Sequence, residues 1–229
     1  MSSNLFHLTG TESEISCQIF PPLQVPEDSV IGLTKMQVFN SLANVDSTCN
    51  VFCYSENKEK WEDIIIPIGN YDIYDIENHL KAILGKDAIS IKPNTNTLKC
   101  TFYCKYNVRF EGNTIGKLFG FYNEEYSAGQ YIESSKPLTI SDVNTIQVEL
   151  SIANGSYQNG VQSSCIYKCF VTVPPGSMIV EIPNNVIYFS INTDEIDSLN
   201  VKLTDEHHKL LDFRGEEISI ELHLKNVAI

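Results

Sequence analysis

The chain has 229 residues, 42% of them hydrophobic and 20% charged, which is a globular composition with enough length for one large all-β core or two small ones. Sixteen Lys and Arg against 29 Asp and Glu leave a formal charge of -13, and no basic cluster offsets it: Lys58 and Lys60 flank Glu59, while Lys202, Lys209 and Arg214 are diluted by acids. Direct nucleic-acid binding is therefore not expected. The first residues lack the basic start and apolar core of a signal peptide, and the longest apolar run is far shorter than a bilayer span. We expect a protein made in the cytosol or nucleus, not secreted by a signal peptide and without a membrane span.

Residues 1–29 read as an irregular N-terminal arm, because Pro21, Pro22 and Pro26 block regular ladders and Glu12, Glu14, Glu27 and Asp28 keep it solvated. Such an arm either drapes over its own surface or docks on a neighbouring subunit through Leu5, Phe6, Ile15, Ile19 and Phe20. From Val30 the pattern is β, with strands predicted at 30–38, 50–54 and 61–68, the last two joined by a short charged loop at 57–60. Across 71–84, Ile73, Ile76, Leu80, Ile83 and Leu84 recur at helical spacing. Asp72 stands where it caps the start and Gly85 where it closes the end, so an amphipathic helix is predicted, covering an open end of a sandwich.

Strands resume at 89–91 and 97–106 around the turn Pro93-Asn94-Thr95-Asn96. Ile115, Leu118 and Phe119 make a short second helical face between Gly112 and Gly120. After an acidic loop, strands follow at 145–153, 165–173 and 186–191, separated by loops at 154–164 and at Pro174-Pro175-Gly176. No repeat and no linker marks a second core. Residues 30–229 are expected to form a single all-β domain, an antiparallel sandwich with one or two short inserted helices.

The most regular stretch lies at the end. Ile218, Ile220, Leu222 and Leu224 alternate with Ser219, Glu221 and His223, the period of a half-buried strand, and its regularity marks a central strand. Before it, the chain returns Leu211 and Phe213 to the core. In Asp212-Phe213-Arg214-Gly215-Glu216, Phe213 anchors, Gly215 permits a bend, and the charges of Asp212, Arg214 and Glu216 meet either each other or a neighbour.

No catalytic constellation emerges. Cys49/Cys53, Cys100/Cys104 and Cys165/Cys169 share one spacing, but on strands such residues lie roughly 13 Å apart, too far for one zinc ion or one disulfide. They read as buried reduced thiols. His7, His79, His207, His208 and His223 are dispersed, with no His-x-His on a strand, and nucleophile elbows and phosphate loops are absent. Acid clusters at Glu124-Glu125, Asp194-Glu195 with Asp197, Asp205-Glu206 and Glu216-Glu217 read as solvated loops. A calcium ion shared between subunits at such clusters is the alternative, and no other cofactor is expected.

The order of VRFEGNTIGKLFGF, IQVELSIANGSYQNG and the run from CIYKCFVTVPPG to DFRGEEISIELHLK resembles the minor capsid (penton) protein of Polinton or Maverick elements and adintoviruses. The resemblance spans about residues 100–225. Its most distinctive pieces are Pro174-Pro175-Gly176 and Asp212 to Glu216, and it departs from the pattern at His207-His208, where a small polar turn residue is expected. The resemblance implies a single jelly-roll and a structural virion protein, not an enzyme. It further implies self-association into homopentamers at icosahedral vertices, docked to a separate double jelly-roll major capsid protein. The alternative is a jelly-roll receptor- or carbohydrate-binding module, trimeric, using Tyr122, Tyr126, Tyr131 and Tyr157 in or near polar loops.

Overall fold

A computed structural model describes residues 3–139 and 143–227. The chain forms two compact units, Met1–Leu42 together with Val143–Ile229, and Ala43–Asp142 between them in sequence. Strands β1 (Ser3–Gly10), β2 (Glu14–Gln24) and β3 (Ser29–Phe39) open the first unit. The second unit carries β4 (Val51–Ser55), β5 (Glu62–Ile65), α1 (Ile73–Leu84), β6 (Ile89–Pro93), β7 (Cys100–Cys104), β8 (Asn107–Phe110), α2 (Gly116–Phe119), β9 (Glu124–Tyr126) and β10 (Tyr131–Glu133). The first unit resumes with β11 (Thr145–Leu150), β12 (Ala153–Asn154), β13 (Ser156–Gln158), β14 (Val161–Ser163) and β15 (Cys165–Phe170). It ends with β16 (Met178–Glu181), β17 (Phe189–Ile191), β18 (Glu195–Thr204) and β19 (Ile218–Asn226).

The first unit is an antiparallel jelly-roll sandwich. One sheet runs β1-β19-β3-β17-β12, with β16 also on β3, and the other runs β15-β11-β18-β2. The chain crosses between sheets from β1 to β2, from β2 to β3 and again from β18 to β19, so its first and last strands pair from Ser3↔Lys225 to Gly10↔Ile218. β19 therefore lies between β1 and β3, the central place its alternation predicted. Ile218, Ile220, Leu222 and Leu224 are all buried in the core, each contributing about 1.5–3 kcal/mol. Across from them β3 holds one extra residue, Thr34, where the register shifts between Glu221 and Leu222. Its hydroxyl lies 2.7 Å from the Glu221 carboxylate and so satisfies the irregularity locally.

The structure departs from two expectations. Residues 3–24 are not an irregular arm: β1 and β2 add one strand to each sheet, with Leu8 and Ile15 buried in the core. The prolines are accommodated because β2 is an edge strand whose ladder is interrupted. Ser198 pairs with Gln18 and Ile196 with Leu23, so residues 19–22 bulge out where no N–H need be donated.

Nor do residues 30–229 share one core. The second unit has its own, built on β5-β4-β8-β9 and β10-β7-β6 around Phe52, Phe102, Phe110 and Phe121. The Phe110 and Phe121 rings stack at 5.1 Å and the Phe102 and Phe110 rings meet edge-on at 5.3 Å. Helix α1 starts on the predicted Asp72 cap, which accepts from Asp75 N–H while Asp75 reaches back, and Gly85 closes it at φ 108°. It packs on β6 through Ile73, Ile76 and Leu80, so the face predicted to be apolar is buried within this second core. The predicted second helical face is α2, whose buried Leu118 and Phe119 join the same core.

Candidate functional site

The two motifs that stand out in the sequence converge on one dipeptide, Asn40-Ser41, where β3 ends. Pro174 to Ser177 is a turn with the Pro175-Gly176 pair at its centre, Gly176 at φ 80° and Ser177 N–H on the Pro174 carbonyl at 3.2 Å. The buried Asn40 clamps it. Asn40 N–H donates to the Ser177 carbonyl at 2.8 Å, its carbonyl accepts from Gly176 N–H at 2.9 Å, and its side-chain amide donates to the Val173 carbonyl at 2.9 Å. Ser41 Oγ then donates to the Phe213 carbonyl at 2.5 Å.

Phe213 is 2% exposed and belongs to the sandwich core. Arg214 and Gly215 follow at φ 57° and 78°, with Glu216 N–H on the Phe213 carbonyl at 3.1 Å, the pattern of a turn with two left-handed central residues. Asp212 Oδ1 accepts from Arg214 N–H at 2.7 Å, which closes the turn from the side. The side chains of Asp212, Arg214 and Glu216 are exposed, and Arg214 forms no ion pair among the described residues. The motif thus acts through backbone geometry and one buried ring, and its charges are not paired with each other. Neither Asn40 nor Ser41 carried a sequence signal, since their work depends on what folds back against them.

The sandwich has two lateral edges. On one, β1 and β2 lie side by side; on the other, β15 and β16 are tied by the Tyr167 hydroxyl donating to Glu181 at 3.0 Å. Both edges expose large apolar side chains. Phe20 stands 95% exposed in the β2 bulge, and Phe170, Val180 and Ile182 are exposed at or beside β15 and β16. Exposed apolar surface at open strand edges is what pairing with another chain requires. Beside β15, residues 156–159 of β13 and its turn, together with Ile187 and Phe189, border an open hollow of about 530 Å³ whose walls include Tyr157 and Tyr167.

Tyr126 packs on Phe110 and Phe121 and donates to Glu124; Tyr131 stacks on Tyr103 at 4.7 Å; Lys136 sits 4.5 Å over the Tyr122 ring; Tyr157 lines the hollow. Each of these tyrosines has its own set of neighbours. A polar cleft of about 350 Å³ in the second unit is lined instead by Tyr54 and Tyr106, with the Tyr54 hydroxyl on Glu62 at 2.9 Å. Among the described residues, no three His, Cys, Asp or Glu side chains form a group that could hold a metal ion. Glu125 pairs with Lys58 at 3.1 Å and Asp205 Oδ1 accepts from the His207 and Lys209 N–H groups. Two of the histidines have structural partners: His208 meets Glu149 at 2.6 Å and His223 meets Tyr188 at 2.7 Å. No helix among the described residues is long and apolar enough to cross a membrane.

All seven cysteines carry free thiols, five of them buried. Burial pushes the Cys100 and Cys169 thiols up to about 12 and Cys104 to about 11. A thiol raised in the folded state adds stability below its unfolded value, near 9, and that stability is lost as pH rises through the folded value. The urea midpoint is therefore expected to hold up to about pH 9 and then to fall steadily towards pH 11. A flat midpoint across that window, followed by fluorescence, would contradict the burial of these thiols.

The solved structure of the mavirus penton protein aligns with this chain at a TM-score of 0.52 and 8% identity, covering 99% of this chain and 100% of that one. The fold matches that of a penton protein. No family model matches the sequence, and no curated protein matches it. At 8% identity the likeness is one of fold, so what the fold is used for rests on the chain's own surfaces.

Proposed function

We propose that this protein is a vertex (penton) subunit of an icosahedral capsid, a structural component of the virion that self-assembles into homopentamers and docks to a double jelly-roll major capsid protein. The observation that carries the reading is the penton-like fold over nearly the whole chain. The two lateral edges of the sandwich support it, because a ring needs two different surfaces on each subunit, one meeting the other on the next copy. The charge of -13 suits a shell component that does not hold the genome.

Native mass spectrometry and sedimentation of the purified chain across concentration test this. Rings of five are the expected result. Because each subunit carries -13, association should strengthen as salt is raised from about 0.05 M to about 0.5 M, which screens the repulsion between subunits. A chain that stays monomeric at every concentration and salt would refute the ring. A stable trimer that takes up a neutral saccharide at the Tyr54 and Tyr106 cleft would make it a glycan-binding module instead.

A further inference from the structure

We propose that Phe20 is a knob that enters the hollow beside β15 of a second copy of this chain, so that each subunit carries both halves of the ring contact. The inference rests on the ring reading above and names the residues that would make it. Phe20 is 95% exposed, a degree of exposure that an isolated subunit gains nothing from. It stands in the interruption of β2 between the Gln18 and Leu23 pairings, and Pro21 and Pro22 follow it directly. Two successive fixed φ angles stiffen the bulge, so little conformational entropy remains to be lost when the ring is buried.

The hollow fits that knob in place, size and charge. β2 and β15 are the two outer strands of one sheet, ordered β15-β11-β18-β2, so knob and hollow face opposite ways around a ring. Such a contact is heterologous, the kind that builds a ring when its rotation divides a full turn evenly. The walls offered by Tyr157, Tyr167, Ile187 and Phe189 are mainly apolar and aromatic, the surroundings in which a phenylalanine makes its strongest contacts, and about 530 Å³ exceeds one aromatic ring. In a chain so rich in acids, no carboxylate lines the hollow, and its one charged lining residue is Lys168. Beside the knob the situation is reversed: Asp197 lies in the stretch of β18 that faces the bulge, Glu195 stands opposite Gln24, and Asp194 immediately precedes the strand. The charges of the two halves are thus complementary, which steers association and sets its direction.

A photo-crosslinking residue, p-benzoylphenylalanine, placed at position 20 in the full chain tests this by peptide mapping of the crosslinked dimer band. The expected crosslink joins position 20 to residues 156–159, 165–168 or 187–189 of another chain. Phe20→Asp should weaken ring formation at least tenfold in concentration while leaving the thermal midpoint unchanged, since the side chain is solvated in the monomer. Lys168→Glu should weaken it as well, and Asp197→Lys combined with Lys168→Glu should restore part of the loss. If rings of five form but the crosslink maps elsewhere, or Phe20→Asp assembles normally, the knob is refuted and the ring stands. If no ring forms with the unmodified chain, both are refuted, and the mass of that control tells the two failures apart.

Discussion

Phe213→Ala is expected to lower the free energy of unfolding by about 3–5 kcal/mol, whereas Arg214→Ala, one residue on, should stay within about 1 kcal/mol. The contrast follows from burial. Phe213 is 2% exposed in the sandwich core, and truncating it leaves a cavity that the surrounding strands cannot close, because its backbone is pinned by Ser41 and by the turn to Glu216. Arg214 points to solvent with no ion-pair partner among the described residues, so its loss removes neither packing nor a desolvated pair. Its conformation matters more than its charge. At φ 57° it occupies the left-handed region, where a side chain costs about 1 kcal/mol, so Arg214→Gly should be neutral or slightly stabilising. Gly215→Ala, at φ 78°, should cost about 1–2 kcal/mol. Urea denaturation of the four variants checks the set. A loss of several kcal/mol for Arg214→Ala would mean that the guanidinium is paired in the folded chain after all.

What the sequence disclosed and what it hid have a common physical cause. Signals carried by local periodicity were legible: the alternation from Ile218 to Leu224 placed β19 at the centre of a sheet, and Asp72 and Gly85 bounded α1 to within a residue. Features that depend on distant partners were not. Pro21 and Pro22 argue against a ladder unless it is known that β2 is an edge strand with an interruption at that point. The acids Glu195 and Asp197 concealed the first half of β18, which tolerates them because their side chains face solvent while Ile196 and Leu199 face the core. The boundaries of the second unit, Ala43 and Asp142, fall between segments of the same β character, so no change of composition marks them. In the motifs, Phe213 and Pro174 to Gly176 were visible as residues with a structural task. Asn40 and Ser41, which hold both in place, are ordinary polar residues until the fold brings the two turns to them.

Deleting residues 1–24 is expected to abolish the cooperative unfolding of the jelly-roll. A dispensable arm would leave the melting temperature within a few degrees, whereas here the deletion removes one strand from each sheet. It strips the eight pairings of β1 from β19 and all those of β2 from β18, turning both central strands into exposed edges. It also takes away the buried Leu8 and Ile15, at about 1.5–3 kcal/mol apiece, together with the half-buried Phe6, Ile19 and Leu23. Buried Ser13 goes with them, leaving Leu203 N–H without its acceptor and the Leu211 carbonyl without its donor. The sum is comparable to the whole stability of an ordinary domain, about 5–15 kcal/mol. Circular dichroism and limited proteolysis of the truncated chain should show β15 to β19 cleaved readily, with strong binding of a hydrophobic dye. Deleting residues 1–10 alone removes β1 but spares β2, and should give a folded protein with a clearly lowered midpoint. If the longer deletion melts like the full chain, the pairing of the first strand with the last, and with it the jelly-roll closure, is wrong.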